Sequence, residues 1–299
     1  MTKTVPTRIA IEFAGFDRTL HLTGQRWLLL GNLLSLDAPA VAVSWLLLLG
    51  GCFHLTVSYG NIAALFLTTW LIYLADRFVD SFSLQPKGPR SARQTFCASN
   101  RGLWLSLLLL VGFVDTAVVC FTLDRAIVLR GIFLGSIVLA YLTINWSCDK
   151  IWTVVPFKEA IIGFLFSTGT LLGLGSWLFV MPATILLAGG LFALLCFANC
   201  VSIASWERNI DRIQNKHSIA TRFGPALRLG KFLAATLIAG SIFLVWIDVA
   251  AWPMAACIAA SSMALIALDK IRICRDERSA LADLVLLTPL MFLALWRIL

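Results

Sequence analysis

The sequence predicts an all-α membrane protein with nine transmembrane helices. Of its 299 residues, 60% are hydrophobic and 13% are charged, and its mean hydropathy is +0.89. Soluble domains contain roughly 45–50% apolar and about 25% charged residues. Charged clusters divide the chain into apolar runs of about 20 residues, which is the length that a helix needs to cross a bilayer. The composition excludes a water-soluble globule, a disordered chain and a secreted disulfide scaffold.

The predicted spans follow one another through short connections. Their approximate ranges are 38–57, 59–80, 102–122, 126–146, 158–179, 181–204, 229–248, 250–268 and 279–298. Short turns at Pro182 and Pro253 predict two tight antiparallel hairpins, formed by the fifth and sixth spans and by the seventh and eighth. Residues 1–36 form an N-terminal arm, in which 8–30 is compatible either with an amphipathic surface helix or with a partly ordered segment. The remaining residues, 37–299, form the membrane domain.

Basic residues are distributed unequally between the two sides of the predicted bundle. Of the 24 Lys and Arg residues, only Arg125, Arg130 and Arg297 lie on the side opposite the N-terminal arm. The positive-inside rule therefore predicts a cytoplasmic N-terminus and a C-terminus outside. We expect a multi-pass protein of the bacterial inner (plasma) membrane, whose partner is the lipid bilayer. Because this topology explains most of the net charge of +8, no nucleic-acid partner is implied.

Two pairs of acidic residues lie at cytoplasmic ends of predicted helices. Asp76 and Asp80 end the second span, and Glu207 and Asp211 follow the sixth. The i, i+4 spacing places each pair on one helix face, where like charges repel unless a cation lies between them. Taken alone, each pair is also explained as a solvated helix end neutralised by arginines. Because both pairs lie on one side of the membrane, we predict that all four carboxylates are catalytic and bind Mg²⁺.

Basic and aromatic side chains accompany these acidic pairs. The basic residues near cytoplasmic helix ends, which suit a diphosphate, are Arg77, Lys150, Lys158, Arg208 and Arg212. For each one alone, snorkelling to the interface is an alternative role. A prenyl pocket is predicted below the acidic mouth, formed by Trp70, Tyr73, Tyr141, Phe164 and Asn199. Aromatic faces stabilise cations and an apolar cavity suits an isoprenoid tail, although ordinary packing also explains individual aromatic residues.

The two acidic motifs resemble those of the UbiA superfamily of intramembrane prenyltransferases. Members typically read N-x-x-x-D-x-x-x-D after helix 2 and D-x-x-x-D-x-x-x-D after helix 6. The pairs Asp76/Asp80 and Glu207/Asp211 match the last two positions of these motifs. The leading positions hold Ile72 and Ile203, so each motif is one polar ligand short, and Asn199 is a partial substitute. The segment 216–224 also resembles the lead into helix 7, whereas the usual Lys-Arg pair between helices 4 and 5 is missing.

This resemblance implies a fold and a reaction. The fold is a nine-helix bundle around a central cavity that binds Mg²⁺ and an isoprenoid diphosphate. The reaction is transfer of the prenyl group to a hydrophobic, aromatic acceptor, and the alternative is terpene cyclisation, which relatives with altered motifs also perform. A transporter and a relative that binds without turnover remain open. No matching broken helices are predicted at the membrane midplane, and His54, Asp115, Asp248 and Asp283 are interpreted as packing or interface residues.

Overall fold

A computed structural model describes residues 31–83, 88–148, 151–155, 157–175, 181–223, 226–271 and 273–296. Within these ranges the chain is helical and contains no β-strand. The helices are α1 (Asp37–Cys52), α2 (Tyr59–Ser83), α3 (Ala92–Ser99), α4 (Arg101–Thr122), α5 (Arg125–Ser147), α6 (Ile151–Val154), α7 (Lys158–Leu172), α8 (Ala183–Ile213), α9 (Ile219–Phe223), α10 (Ala226–Ile247), a 3-10 turn (Val249–Ala251), α11 (Trp252–Lys270), α12 (Arg275–Val285) and α13 (Thr288–Trp296).

Six of the described helical segments are long and apolar enough to cross a membrane. They comprise α2, α4, α5, α8, the Leu229–Ile247 part of α10, and Val249–Lys270, which joins the 3-10 turn to α11. These segments coincide with six of the predicted spans. α1 is a shorter apolar helix of 16 residues, and α7 has 15 residues. The all-α, membrane-protein class predicted from composition is thereby confirmed.

The last predicted span, 279–298, is not one continuous helix. Its described residues, 279–296, belong to α12 and α13, which are separated at Leu286 and Leu287. The physical cause is Pro289, which has no backbone N–H to donate and whose ring clashes with the carbonyl of the residue four positions earlier. That residue is Val285, the last residue of α12. The chain therefore contains a broken helix that the apolar pattern alone does not reveal.

At this break, side chains from other helices donate hydrogen bonds to the backbone carbonyls that lack a helical donor. Ser261 Oγ donates to the Val285 carbonyl at 2.9 Å, and Trp45 Nε1 donates to the Leu286 carbonyl at 2.7 Å. Both donor residues are fully buried. A buried carbonyl without a donor is costly, so these two bonds stabilise the interrupted backbone inside the bundle.

α8 is the central helix of the larger hydrophobic core. It contacts α7, α9, α10, α11 and α12, and its Phe192 stacks on Trp45 with ring centroids 4.5 Å apart. α7 lies especially close because Gly163 meets the α8 backbone: an added Cβ would lie 2.6 Å from the Ala193 carbonyl oxygen. Small residues permit such close helix packing in membranes. The predicted hairpin of the fifth and sixth spans is consistent with this contact.

A smaller core joins the C-terminal half of α2 to α3 and α4. Its buried residues are Leu74, Cys97, Trp104 and Val111. On the outer side, α4 and α5 expose large apolar residues, among them Phe113 (76% exposed) and Phe133 (69% exposed). A contiguous apolar exterior of this kind suits lipid rather than water. The acidic end of α2 is thus fixed by its own core, separately from α8.

The helix break yields a prediction about Ser261. Ser261→Ala should lower the free energy of unfolding by about 1–3 kcal/mol, because the Val285 carbonyl loses its donor. Ser262→Ala is the matched control: Ser262 is equally buried but donates to the carbonyl of Ile258 in its own helix. Equilibrium unfolding in detergent measures both changes. Equal losses for the two variants would show that the bond across the break has no special weight.

Candidate functional site

Both acidic pairs lie within helical turns rather than in the loops that follow them. α2 continues to Ser83, beyond Asp76 and Asp80. α8 continues to Ile213, nine residues beyond the predicted end of the sixth span, and therefore includes Glu207 and Asp211. Each i, i+4 pair accordingly projects from one helix face, as the spacing predicts.

The two pairs line one polar cavity of about 230 Å³. Its wall comes from α2, from α3 with the residue before it, from the end of α8 and from Lys216. The lining residues are Tyr73, Asp76, Arg77, Asp80, Ser81, Ser91, Arg93, Gln94, Cys97, Glu207, Asp211 and Lys216. All four predicted carboxylates, Arg77 and Tyr73 are therefore brought together at one place. Sequence reasoning did not assign Arg93 and Lys216 to the site.

Two ion pairs cross this cavity. Lys216 Nζ lies 2.5 Å from Asp80 Oδ2, and Arg93 Nη2 lies 3.0 Å from Glu207 Oε1. Glu207 Oε1 also accepts a hydrogen bond from Ser279 Oγ at 3.1 Å. One carboxylate of each acidic pair is thus matched by a cation from the opposite wall.

Both cations remain charged near neutral pH. Burial disfavours the charged form of Lys216, but the carboxylates of Asp80, Asp76 and Asp211 together outweigh burial, so the pKa of Lys216 lies above its ordinary value. Burial acts likewise on Arg93, but nearby carboxylates, of which Glu207 acts most strongly, together outweigh it, so the pKa of Arg93 is raised. The cavity therefore presents positive as well as negative groups to any ligand.

Local backbone geometry places Lys216 against α2. Two residues after the end of α8, Asn215 lies in the left-handed region at φ 55°, which Asn tolerates better than most residues. The Lys216 N–H then donates to the Asp211 carbonyl at 2.7 Å and the Asn215 N–H to the Arg212 carbonyl at 3.2 Å. These bonds form a Schellman-type helix end, which reverses the chain and directs it back over the cavity.

Arg93 is positioned by a capping box at the start of α3. Ser91 Oγ accepts from the Gln94 N–H at 3.4 Å, and the Ser91 N–H donates to Gln94 Oε1 at 3.0 Å. Cys97 Sγ donates to the Arg77 carbonyl at 3.4 Å and thereby fixes α3 to α2. The Ser-x-x-Gln spacing is visible in the sequence and was the available signal for this short helix.

Four residues predicted for a prenyl pocket below the acidic mouth have partners of their own or face outward. Phe164 is 65% exposed on the outer surface. Trp70 donates through Nε1 to the Leu34 carbonyl at 2.9 Å, and the ring of Tyr141 lies 5.7 Å from that of Trp152. Asn199 donates to Asp283 at 3.0 Å. These four residues do not line the polar cavity.

The remaining predicted cations are placed differently. Lys158 is half-buried and interacts electrostatically with Asp76 and Asp211. Arg208 is half-buried and Arg212 is exposed, and neither lines the cavity. Lys150 lies outside the described residues, as do residues 1–30 of the N-terminal arm.

The carboxylates suit a hard cation in their chemistry, although they are engaged with other partners. Among the described residues, no group of three or more His, Cys, Asp or Glu side chains is arranged to hold a metal ion. Asp80 and Glu207 instead contact Lys216 and Arg93. Carboxylate oxygens around a cavity that also contains cations are the donors that Mg²⁺ uses together with phosphate oxygens.

Comparisons of the chain with protein-family models, curated proteins and solved structures found no match. The resemblance to the UbiA superfamily thus depends on the motif residues Asp76, Asp80, Glu207 and Asp211 and the apolar spans around them. Membership of that superfamily stays a prediction.

The ion pair between Arg93 and Glu207 should stabilise the position of α3 beside the end of α8. We expect a double-mutant cycle with Arg93→Gln and Glu207→Gln to give a coupling energy of about 1–3 kcal/mol. The corresponding cycle for Arg275 and Asp276, which lie 3.5 Å apart with side chains 37% and 29% exposed, should give less than about 1 kcal/mol. Detergent unfolding measures both. A coupling no larger for Arg93 and Glu207 than for this control contradicts the expectation.

Proposed function

We propose that this chain is an Mg²⁺-dependent intramembrane prenyltransferase of the UbiA type. It ionises an allylic isoprenoid diphosphate and transfers the prenyl group to a hydrophobic acceptor of the aromatic class. The observation that carries the proposal is the convergence of four carboxylates and three basic side chains on one polar cavity at the end of apolar helices. Such a cavity accommodates a charged headgroup while the apolar helices surround a hydrocarbon tail.

The proposal includes a complete nine-span bundle. In it, α1, α7 and the α12–α13 pair supply the three spans beyond the six long apolar segments. The N-terminal arm and the polar cavity face the cytoplasm of a bacterial inner membrane, in agreement with the distribution of Lys and Arg. The diphosphate then enters from the aqueous side and the prenyl chain extends into the membrane.

Asp76, Asp80, Glu207 and Asp211 are the residues that would hold Mg²⁺. Their oxygens match its preference for hard ligands, and they line a cavity rather than a closed cage, which leaves room for phosphate oxygens and water. When bound, the metal supplies positive charge that stabilises the departing diphosphate. Asp80 and Glu207 first have to leave Lys216 and Arg93.

The basic side chains of the cavity, including Arg93 and Lys216 once they leave their carboxylates, bind the diphosphate in this scheme. Arg77, Arg93 and Lys216 line the same cavity and bind phosphate oxygens through charge-assisted hydrogen bonds. The bond between C1 and the bridging oxygen breaks, and its electron pair leaves with the diphosphate. Because the cations are already positioned, little reorganisation accompanies this charge development.

Tyr73 lies one turn before Asp76 on α2 and also lines the cavity. Its aromatic face is suited to stabilise the allylic cation at the boundary between headgroup and tail. The surrounding helices exclude water, which would otherwise capture the cation as an alcohol. A carbon of the acceptor then bonds to C1 and loses a proton, for which the released diphosphate is an available base.

Terpene cyclisation is the second candidate. It is favoured by the apolar residues Ile72 and Ile203 at the leading motif positions, because altered motifs of this kind occur in cyclase relatives. In that reaction an alkene of the same chain captures the cation, and no external acceptor is needed. Both reactions share the same ionisation step and the same carboxylates.

The ionisation step is tested by incubating purified protein with geranyl, farnesyl and geranylgeranyl diphosphates and Mg²⁺, first without an acceptor and then with phenols and quinone precursors. Asp80→Asn and Asp211→Asn should each reduce diphosphate release by about 10²–10³-fold, because each removes a ligand charge from the transition state. Chelation of Mg²⁺ should abolish release. The control Asp248→Asn removes a carboxylate that caps the 3-10 turn and should leave the rate unchanged.

Mass spectrometry of the products separates the two candidates. A defined cyclic terpene formed without acceptor, and absent in Asp80→Asn, identifies a cyclase. A prenylated aromatic product formed only with acceptor identifies a transferase. Retained release in both Asp80→Asn and Asp211→Asn contradicts the metal-site assignment, and saturable binding without any release indicates a binding-only protein.

Lys216 provides a separate prediction about diphosphate binding. Lys216→Met should raise the KM for the diphosphate about tenfold or more, because one charge-assisted contact is lost, whereas Lys216→Arg should retain most of the affinity. Lys231→Met is the control, since Lys231 is exposed and does not line this cavity. Steady-state kinetics measure the effect, and an unchanged KM in Lys216→Met contradicts a phosphate contact.

A further inference from the structure

A second acidic cluster lies beside the polar cavity. Asn32 Nδ2 donates to Asp37 Oδ2 at 2.5 Å and to Asp283 Oδ2 at 3.1 Å, and Asn199 Nδ2 donates to Asp283 Oδ1 at 3.0 Å. The cluster therefore joins the segment before α1, α1 itself, α8 and α12. Asp283, interpreted from sequence as a packing or interface residue, is instead hydrogen-bonded within this polar network.

The two carboxylates of this cluster need positive charge. Asp37 is 7% exposed and Asp283 is half-buried, so neither is fully solvated. Among the described residues, no Lys or Arg nitrogen lies within 4.0 Å of either carboxylate. Arg77 and Arg93 act on both only at longer range. A pair of carboxylates in such a place is costly unless a proton or a cation lies with them.

Asn199 carries an independent sign of a missing ligand. It is 7% exposed, and its Oδ1 is buried without a hydrogen-bond partner in the described part of the chain. The Nδ2 of the same amide donates to Asp283 Oδ1 at 3.0 Å, so the Asn199 side chain reaches the cluster. A buried amide oxygen without a partner is uncommon in folded proteins and indicates an unseen donor, water or ion.

We propose that Asp37, Asp283, Asn199 and Asn32 form a binding site for a dehydrated Na⁺ ion, separate from the four-carboxylate cavity. Carboxylate and amide oxygens are hard ligands. A 180° rotation of either Asn amide exchanges its nitrogen and oxygen with little change of shape. Such a rotation would turn the Asn32 nitrogen that bridges the carboxylates into an oxygen ligand. The cluster then supplies oxygens from four side chains.

Charge and hydration select Na⁺ over Mg²⁺. Mg²⁺ dehydrates reluctantly and is seldom held in a cage made only of protein groups. One monovalent ion, together with the nearby guanidinium of Arg77, balances the two carboxylates. The ion would also lie near the C-terminal end of α12, which breaks two residues after Asp283. Cations are stabilised at helix C-termini, and interrupted membrane helices commonly hold Na⁺ in this way.

The inference does not depend on the proposed enzymatic reaction and is tested by binding alone. The full-length protein in detergent is incubated with ²²Na⁺, and bound ion is measured by scintillation proximity against unlabelled NaCl or choline chloride. We expect saturable binding of one ion per chain that NaCl displaces and choline does not. Asp37→Asn and Asp283→Asn should abolish this binding. Asn199→Ala should raise the half-saturating Na⁺ concentration about tenfold through loss of one oxygen ligand.

Three carboxylate variants control for location and for general charge loss. Asp115→Asn removes a buried carboxylate that accepts from Thr68 Oγ1 at 3.0 Å and is remote from the cluster, and it should bind ²²Na⁺ normally. Asp80→Asn and Asp211→Asn should also bind normally, because their carboxylates belong to the other cavity. The proposal is overturned if the wild-type protein shows no saturable binding, which would indicate a shared proton, or if Asp283→Asn binds like wild type. If the two aspartate variants do not fold, the comparison of ²²Na⁺ binding between the wild-type protein and Asn199→Ala decides whether the proposal holds.

Discussion

Partly buried carboxylates at the end of an apolar bundle have to be neutralised, and this constraint organises that end of the molecule. Asp80 and Glu207 are matched by Lys216 and Arg93, each supplied by a segment between long helices. Those segments are ordered by their own local devices: a capping box at Ser91 and a left-handed Asn215. The charge requirement therefore determines where α3 and the turn after α8 lie, and the cavity follows from their positions.

The sequence was informative where one strong physical effect dominates. Apolar length predicted the six long segments, and i, i+4 spacing predicted that each acidic pair shares a face. It was less informative for Phe164, because a helix that is apolar on all sides carries no signal for which face meets lipid. Pro289 was visible, but a break inside a membrane also requires donors such as Ser261 and Trp45, whose proximity is a tertiary property.

The site shows the same division between local and long-range information. Asp76, Asp80, Glu207 and Asp211 could be named from spacing, since each pair is local to one helix. Arg93 and Lys216 could not be singled out among the many basic residues, because their partners lie 114 and 136 positions away in sequence. Asn199 was named from the motif, but its contact with Asp283 on α12 could not be, because no local pattern connects α12 to α8.

The acidic ends of α2 and α8 belong to different hydrophobic cores. Residues around Leu74 and Cys97 fix the end of α2, whereas the larger core surrounds α8. Each ion pair joins a residue beside one core to a residue beside the other. The two pairs therefore hold two separately packed parts of the bundle together. A ligand that draws Arg93 and Lys216 away from their carboxylates breaks both ion pairs at once. The affinity measured for such a ligand consequently includes the free energy of loosening the contact between the two parts. Ligand binding and the separation of the two parts are therefore one linked equilibrium.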